Sequence, residues 1–116
     1  MNPNDIMKAA VKALDSKKAE NIEVIEIRDL TILADYFVFA TGTSTTQVKA
    51  LADEVEYALS QAGAEPSHIE GRATGWILLD YGSVVVHVFY GEQREFYQLE
   101  KLWQDGQKID VSELLK

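Results

Sequence analysis

The chain contains no cysteine and only two prolines among its 116 residues. Because thiols are absent, disulfide bonds and thiolate metal sites are excluded, and the composition does not favour an oxidising compartment. No apolar run approaches the roughly 20 residues needed to cross a bilayer, and the N-terminal residues lack the basic and apolar regions of a signal peptide. We therefore expect a single domain over residues 1–116, located in the cytoplasm.

Basic residues are also scarce in this sequence. Lysine and arginine number 11 against 19 aspartate and glutamate residues, which gives a formal net charge of −8. A protein that grips phosphate backbones needs the opposite sign of charge, so direct nucleic-acid binding is not expected. The acidity mainly favours solubility, and it would also attract a basic partner.

Hydrophobic periodicity predicts a mixed α/β domain in which a mixed sheet of about five strands packs against helices. Asn2 and Pro3 have the order that begins a helix, and Ser44 and Gln47 have the capping-box spacing of a second helix that ends near Gly63. The predicted helices are 3–18, 45–62 and 94–103, and the predicted strands are 22–27, 36–40, 67–70 and two strands within 75–89. The element order is therefore α-β-β-α-β-β-β-α.

The predicted strands differ in their environment. Residues 36–40 are apolar without alternation, which is typical of a strand covered on both faces in the middle of a sheet. Residues 22–27 alternate with glutamate and are expected nearer an edge. The segment 71–75 is expected to be a flexible loop, and residues 104–116 are expected to form a loosely held tail.

The stretch 75–89 is interpreted as a β-hairpin whose two-residue turn is Gly82-Ser83. Side chains alternate between the two faces of a strand, so this register predicts two different sides. The side expected to face the core collects Ile77, Leu79, Tyr81, Val84, Val86 and Val88, with the Tyr81 phenol tip reaching water. The side expected to be open collects Trp76, Leu78, Asp80, Val85, His87 and Phe89.

An enzymatic site is weakly supported by the sequence. The turn at 41–44 joins a strand to a helix, where amides can hold phosphate, but it lacks the spacing and lysine of a P-loop. A small nucleotidyltransferase would need two alternating carboxylates on the next strand, whereas the chain after Ser44 is predicted to be a helix. His68 and His87 have no ligand cluster around them, and Asp80 lies about two pairing steps from His87. A capped junction and a structural histidine are the favoured interpretations.

Trp76, Leu78 and Asp80 form the best candidate site on the open side of the hairpin. An exposed aromatic anchor with apolar support and one charge is typical of a protein-binding patch. The alternative is that Trp76 belongs to the core. The residues by themselves thus indicate an acidic α/β domain that is a binding module.

Several segments together resemble one family over nearly the whole chain. They are Asp35-Tyr36-Phe37-Val38, Thr41-Gly42-Thr43-Ser44, Glu70-Gly71, the hairpin from Gly75 to Phe89, and Phe96-Tyr97-Gln98-Leu99-Glu100-Lys101-Leu102-Trp103. In this collinear order they resemble the ribosomal silencing factor family, RsfS, also called Iojap. One departure is Ser83, where the family commonly has aspartate; serine still suits the turn.

The resemblance implies a non-enzymatic translation regulator that needs no cofactor or metal. Members bind the large ribosomal subunit through its ribosomal protein fourteen, block joining of the small subunit when nutrients are scarce, and tend to be homodimers when free. Their fold is similar to a minimal nucleotidyltransferase core without its catalytic carboxylates. The competing hypothesis is a small nucleotidyltransferase-like enzyme that uses the turn at 42–44.

We expect the contact centre with the ribosomal protein to be Trp76, Leu78 and Asp80. The further expected contact residues are Glu70, Arg72, Tyr81 and Tyr97. No membrane or direct nucleic-acid partner is expected.

Overall fold

The computed structural model describes residues 1–30, 32, 34–71, 75–91 and 105–115. Within these ranges the chain forms three helices and six strands. In order they are α1 (Pro3–Ser16), β1 (Glu20–Glu26), β2 (Tyr36–Gly42), α2 (Thr45–Gln61), β3 (His68–Glu70), β4 (Trp76–Asp80), β5 (Val84–Tyr90), β6 (Gln107–Ile109) and α3 (Val111–Leu114). None of these helices combines the length and hydrophobicity that a membrane span requires.

Helix α1 begins as predicted and ends two residues early. The side chain of Asn2 accepts a hydrogen bond from the backbone N–H of Asp5 at 2.8 Å, which satisfies one of the free donors of the first turn. At the other end Lys18 has a φ of 62°, a left-handed conformation that a helix cannot continue through. The predicted helix 3–18 is thus confirmed over Pro3–Ser16.

Helix α2 also has the predicted boundaries. The Ser44 hydroxyl accepts from the N–H of Gln47 at 3.0 Å, and Gly63 follows the helix with a φ of 97°. The Gln47 side chain accepts from the N–H of Thr43 rather than from that of Ser44. The reciprocal half of the capping box is therefore displaced by one residue.

The six strands form one mixed sheet in the order β3-β4-β5-β2-β1-β6. Strands β2 and β5 are parallel, and the other neighbours are antiparallel. Because β2 lies between β5 and β1, the prediction that 36–40 is a central strand is confirmed. The mixed α/β fold is confirmed as well, with six strands instead of about five.

The C-terminal residues account for the extra strand. We predicted a loosely held tail over 104–116, and in the described part of this segment β6 pairs with β1 through Val24 opposite Ile109 and Glu26 opposite Gln107. Strand β1 is therefore paired on both sides and is the second strand from the β6 edge, which agrees with the prediction that it lies nearer an edge than β2. The edges are β3 and β6, which have three residues each. The predicted helix 94–103 and most of the predicted loop 71–75 lie outside the described residues.

The hairpin register agrees with the prediction. Trp76 is opposite Phe89 and Asp80 is opposite Val85, and the N–H of Tyr81 donates to the carbonyl of Val84 at 2.9 Å. Gly82 has a φ of 82°, which glycine adopts without the steric cost that a side chain would add. Gly82 therefore allows the two-residue turn. The turn sets the pairing register of β4 and β5, and the register determines which side chains share a face.

Helices α1 and α2 cover one face of the sheet, which we call the helix-covered face. The hairpin contributes five side chains to it, all with no exposed surface: Ile77, Leu79, Val84, Val86 and Val88. The helices contribute Met7, Val11, Leu14, Val48, Leu51, Val55 and Leu59. Each fully buried aliphatic side chain stabilises the fold by roughly 1.5–3 kcal/mol, so this face supplies most of the stability.

The opposite face of the sheet, which we call the aromatic face, has a different composition. Phe39, Phe89 and Ile25 are buried there, with Phe37, Trp76 and Val85 partly buried against them. The residues of β2, β4 and β5 on this face are Phe37, Phe39, Thr41, Trp76, Leu78, Asp80, Val85, His87 and Phe89. The candidate site lies on this face.

Candidate protein-binding surface

Five rings from three strands meet on the aromatic face. Strand β2 supplies Phe37 and Phe39, β5 supplies His87 and Phe89, and β4 supplies Trp76. Parallel pairing places Phe39 opposite His87, and antiparallel pairing places Trp76 opposite Phe89. The sheet topology thus brings together rings from segments that are far apart in the sequence.

His87 lies at the centre of this ring cluster. Its imidazole stacks on Phe39 with centroids 5.2 Å apart at an interplanar angle of 17°, and Phe37 meets it edge-on at 5.1 Å. Phe89 lies 6.1 Å away and nearly parallel to it. These separations are typical of favourable aromatic pairs, each worth about 0.5–1.5 kcal/mol beyond the buried area.

The protonation state of His87 follows from its surroundings. The side chain is only 4% exposed, and its Nδ1 accepts a hydrogen bond from the Trp76 indole at 3.2 Å. Burial lowers the pKa of His87 to about 4, against a smaller opposing effect of the Asp80 charge. The ring is therefore neutral at physiological pH, and because an indole N–H can only donate, the His87 proton resides on Nε2.

Trp76 is partly buried and has a defined orientation. Its indole stacks on Phe89 with centroids 5.2 Å apart at 20°, while its N–H is directed to His87. The residue is neither fully buried nor fully exposed, and it packs against the buried cluster of this face. Its hydrogen-bonding group is used inside the protein, so the part offered to a partner is apolar.

Leu78 and Asp80 continue this partly exposed region toward β3. Leu78 pairs with Glu70, and Asp80 pairs with His68, so these four residues share one face. The His68 Nε2 lies 3.8 Å from a Glu70 carboxylate oxygen and 3.7 Å from an Asp80 carboxylate oxygen. The Glu70 side chain is 68% exposed and that of Asp80 27% exposed, which gives the apolar region an acidic rim.

Asp80 has a structural role beside its charge. One carboxylate oxygen accepts the backbone N–H of Gly82 at 2.7 Å, which closes the turn in the manner of an Asx turn. The Asp80 carbonyl accepts the N–H of Ser67 at 2.7 Å. A substitution that removes only the charge must therefore keep an acceptor oxygen at this position.

Two features of the predicted site are different in the structure. We expected the whole second side of the hairpin to be open, but Phe89 has no exposed surface and His87 is 4% exposed, because β2 pairs alongside β5 and brings its phenylalanines against them. We also expected the Tyr81 hydroxyl to reach water. Instead it is buried, with no hydrogen-bond partner among the residues that the structure describes, and burial, with Glu56 and Glu65 nearby, raises the pKa of this phenol.

The predicted contact residues are thus only partly brought together. Trp76, Leu78, Asp80 and Glu70 share the aromatic face. Tyr81 packs against the core of the helix-covered face, on the other side of the sheet. Arg72 and Tyr97 lie outside the described residues.

Sequence reasoning missed the contribution of strand β2 to the site. Phe37 and Phe39 alternate with Val38, which assigns both rings to one face. Nothing in the sequence indicated that β2 would pair in parallel with β5, so this face could not be matched with that of His87. The alternation of Phe37 and Phe39 could have shown that both rings share a face. Only the strand order could have shown that this face adjoins His87.

The turn after β2 is explained by helix capping and packing. Thr43 and Ser44 both interact with Gln47 in the first turn of α2. A Cβ added to Gly42 would lie 2.9 Å from a methyl carbon of Val48, so this glycine allows the strand end to approach the helix closely.

Within the described ranges no group of three or more acidic, histidine or cysteine side chains is arranged to hold a metal ion. The nucleotidyltransferase alternative therefore has no support in this geometry.

The fold and this surface define a small, acidic, mixed α/β protein whose sheet has one face packed against helices and a second, partly exposed face rich in aromatic residues. The family model for RsfS, described as "Ribosomal silencing factor during starvation", matches residues 1–116. The chain belongs to this family of ribosomal silencing factors.

Individual relatives agree with this assignment. The chain is 39% identical over 112 residues to "Ribosomal silencing factor RsfS" from Bacillus subtilis, covering 96% of this chain and 95% of that protein. A crystal structure of a protein from Chromobacterium violaceum superimposes with a TM-score of 0.87 at 40% identity, covering 95% of this chain and 92% of the other. The chain is also 37% identical over 97 residues to mouse "Mitochondrial assembly of ribosomal large subunit protein 1", covering 80% of this chain and 42% of that protein.

Proposed function

We propose that this protein is a non-enzymatic repressor of translation in the cytoplasm. It binds the large ribosomal subunit through ribosomal protein fourteen and blocks joining of the small subunit when nutrients are limited. The observation that carries this proposal is the match of the family of ribosomal silencing factors to the full length of the chain. The name of the mouse relative, which refers to the large ribosomal subunit, supports the choice of subunit.

The aromatic face is the proposed contact surface. Trp76 offers a fixed, partly exposed apolar ring, and Leu78 on the same strand extends the apolar area. Such a combination is typical of the few residues that dominate the binding energy of protein interfaces. The exposed carboxylate of Glu70 and the partly exposed one of Asp80 would pair with basic groups at the rim.

Charge supports a ribosomal-protein partner over direct contact with RNA. The net charge of −8 repels phosphate backbones, whereas it accelerates encounter with a basic protein surface. We therefore expect the interaction to weaken as salt screens these charges over distances of about 10 Å.

Steric occlusion needs only moderate affinity. A dissociation constant of about 1 μM corresponds to roughly −8 kcal/mol, which a central aromatic anchor and a few paired charges can supply. The chain measures 33 × 32 × 29 Å, large enough to prevent two subunit surfaces from meeting where it is bound. No chemical step is required.

Co-sedimentation is the experiment that tests the proposed function. Purified protein is incubated with isolated large subunits, and its migration through a sucrose gradient is measured before and after small subunits are added. We expect the protein to migrate with large subunits and to reduce the fraction of joined ribosomes. Migration at the top of the gradient, or joining that is unchanged at saturating protein, would contradict the proposal.

We also propose that the free protein is a homodimer, as the family resemblance implies. Light scattering of the purified chain measures this directly, since a monomer has a mass of 13.0 kDa. A mass near this value at micromolar concentration would contradict the dimer and leave the ribosomal role unaffected.

A further inference from the structure

We infer that His87 is a positioning residue that fixes the Trp76 indole in the orientation in which it meets the ribosomal partner. This inference rests on the proposed function, because it concerns the same surface. His87 is buried and does not itself reach a partner. Its action is through Trp76.

His87 and Phe89 each constrain the indole. The His87 Nδ1 accepts the indole N–H at 3.2 Å, with the two ring centroids 6.0 Å apart and the planes tilted by 31°. The stacked Phe89 confines the indole from one face. The directional hydrogen bond to His87 and the stacking on Phe89 together select one orientation of the Trp76 side chain, which neither contact would do alone.

His87 is itself held rigidly, as a positioning residue must be. It stacks on Phe39 and is met edge-on by Phe37, both from the central strand β2. The side chain that orients the indole is therefore anchored to the most enclosed part of the sheet. Rigid support of this kind is what keeps a binding residue in its productive geometry.

The environment of the other ring nitrogen, Nε2, indicates that fold stability alone does not explain why position 87 is a histidine. Within the described residues Nε2 is buried and has no hydrogen-bond partner. Burying an unsatisfied donor destabilises a fold, so this nitrogen offsets part of the stabilisation that the ring contacts of His87 contribute. What an aliphatic residue would not provide is an acceptor for the indole N–H.

The expected gain is in affinity. A side chain that is ordered before binding avoids the entropy loss of being ordered at the interface, which is worth up to about tenfold in the dissociation constant. Replacing His87 by leucine should therefore weaken binding to large subunits by up to about tenfold, with the variant still folded under the binding conditions. The denaturant midpoint checks that it is folded, and weaker binding by the folded variant together with faster indole exchange distinguishes positioning from a purely structural role.

The test compares the full chain with His87→Leu and His87→Asn. Asparagine places an acceptor oxygen at the same side-chain position as Nδ1, so it should restore binding relative to leucine. Three quantities are measured: affinity for isolated large subunits, the denaturant midpoint, and the hydrogen-exchange rate of the Trp76 indole N–H by NMR. Trp103→Phe in each protein leaves a single indole signal, since the sequence has two tryptophans.

We expect faster indole exchange in His87→Leu and recovery in His87→Asn. Equal affinity of the parent and His87→Leu would overturn the inference, and so would a lower midpoint with unchanged indole exchange. If the parent does not bind large subunits, the proposed function fails. The exchange rates in the free protein still decide separately whether His87 orients Trp76.

Discussion

The two faces of the β4–β5 hairpin are built from the same strands and perform different tasks. On the helix-covered face the side chains within the strands are mostly aliphatic and fully buried, as in Leu79 and Val86. On the aromatic face a histidine, a tryptophan and an aspartate accompany the apolar residues, and burial is incomplete. The comparison teaches that one face is built for stability, whereas the other carries buried polar groups at an energetic cost, as a face with the proposed binding role would.

The largest expected effect is on the helix-covered face. Leu79→Ala removes a fully buried side chain and leaves a cavity, which should lower the free energy of unfolding by about 3 kcal/mol. Urea denaturation measures the loss. Val85→Ala, on the other face of the same hairpin, is the control and should cost much less because Val85 is only partly buried. Equal losses of unfolding free energy in the two variants would contradict the statement that the helix-covered face contributes more to stability than the aromatic face.

Acid should destabilise the folded protein through a residue of the aromatic face. The pKa of His87 is lowered to about 4 in the folded protein, whereas it is about 6.5 in the unfolded chain, so the unfolded state binds the proton first. The contribution of the neutral His87 to the free energy of unfolding is fully present above pH 6.5. It is lost as the pH falls toward 4, and the loss is about 3 kcal/mol at 1.36 kcal/mol per pKa unit.

The His87→Leu variant isolates this contribution, because every other titrating group is retained. Unfolding free energies of the parent and variant are compared between pH 7 and pH 4. The parent should lose more stability than the variant over this range. Parallel curves would show that the imidazole is not buried in its neutral form.

Trp76→Ala should affect binding more than folding. Removing an anchor of this kind typically costs 2 kcal/mol or more of binding energy, or about a 30-fold loss of affinity for large subunits. Tyr57→Ala is the matched control, since Tyr57 is an aromatic residue that is 62% exposed on α2. If Trp76→Ala keeps its affinity, or if both variants lose affinity equally, the contact surface is not the aromatic face.

Asp80→Asn should have the smallest effect. Asparagine keeps an acceptor for the Gly82 N–H and removes the charge, so the turn should persist while affinity falls about fivefold, or about 1 kcal/mol. Binding measured at low and high salt should show a weaker salt dependence for the variant. An unchanged affinity and salt dependence would exclude Asp80 from the charged rim.

Local patterns predicted much of this fold. The hairpin register followed from Gly82, and the helix starts followed from Asn2 and Ser44, because each feature depends on neighbours in the sequence. Pairing between distant segments was not predictable in the same way. The β2–β5 parallel pair and the β6–β1 pair join segments whose patterns carry no information about each other.

The candidate site was predictable to the same extent. Alternation placed Trp76, Leu78 and Asp80 together, and the structure agrees. It could not show that Phe37 and Phe39 would enclose His87, nor that Tyr81 would be turned into the core. The first depends on strand order, and the second depends on how α2 packs over the end of the hairpin.

The two outer strands of the sheet have three residues each. A foreign strand that docked on either edge would form only a few backbone hydrogen bonds, too few to repay the entropy of ordering it. Edges as short as those of the described sheet therefore limit the addition of further strands, which is the first step of fibril growth.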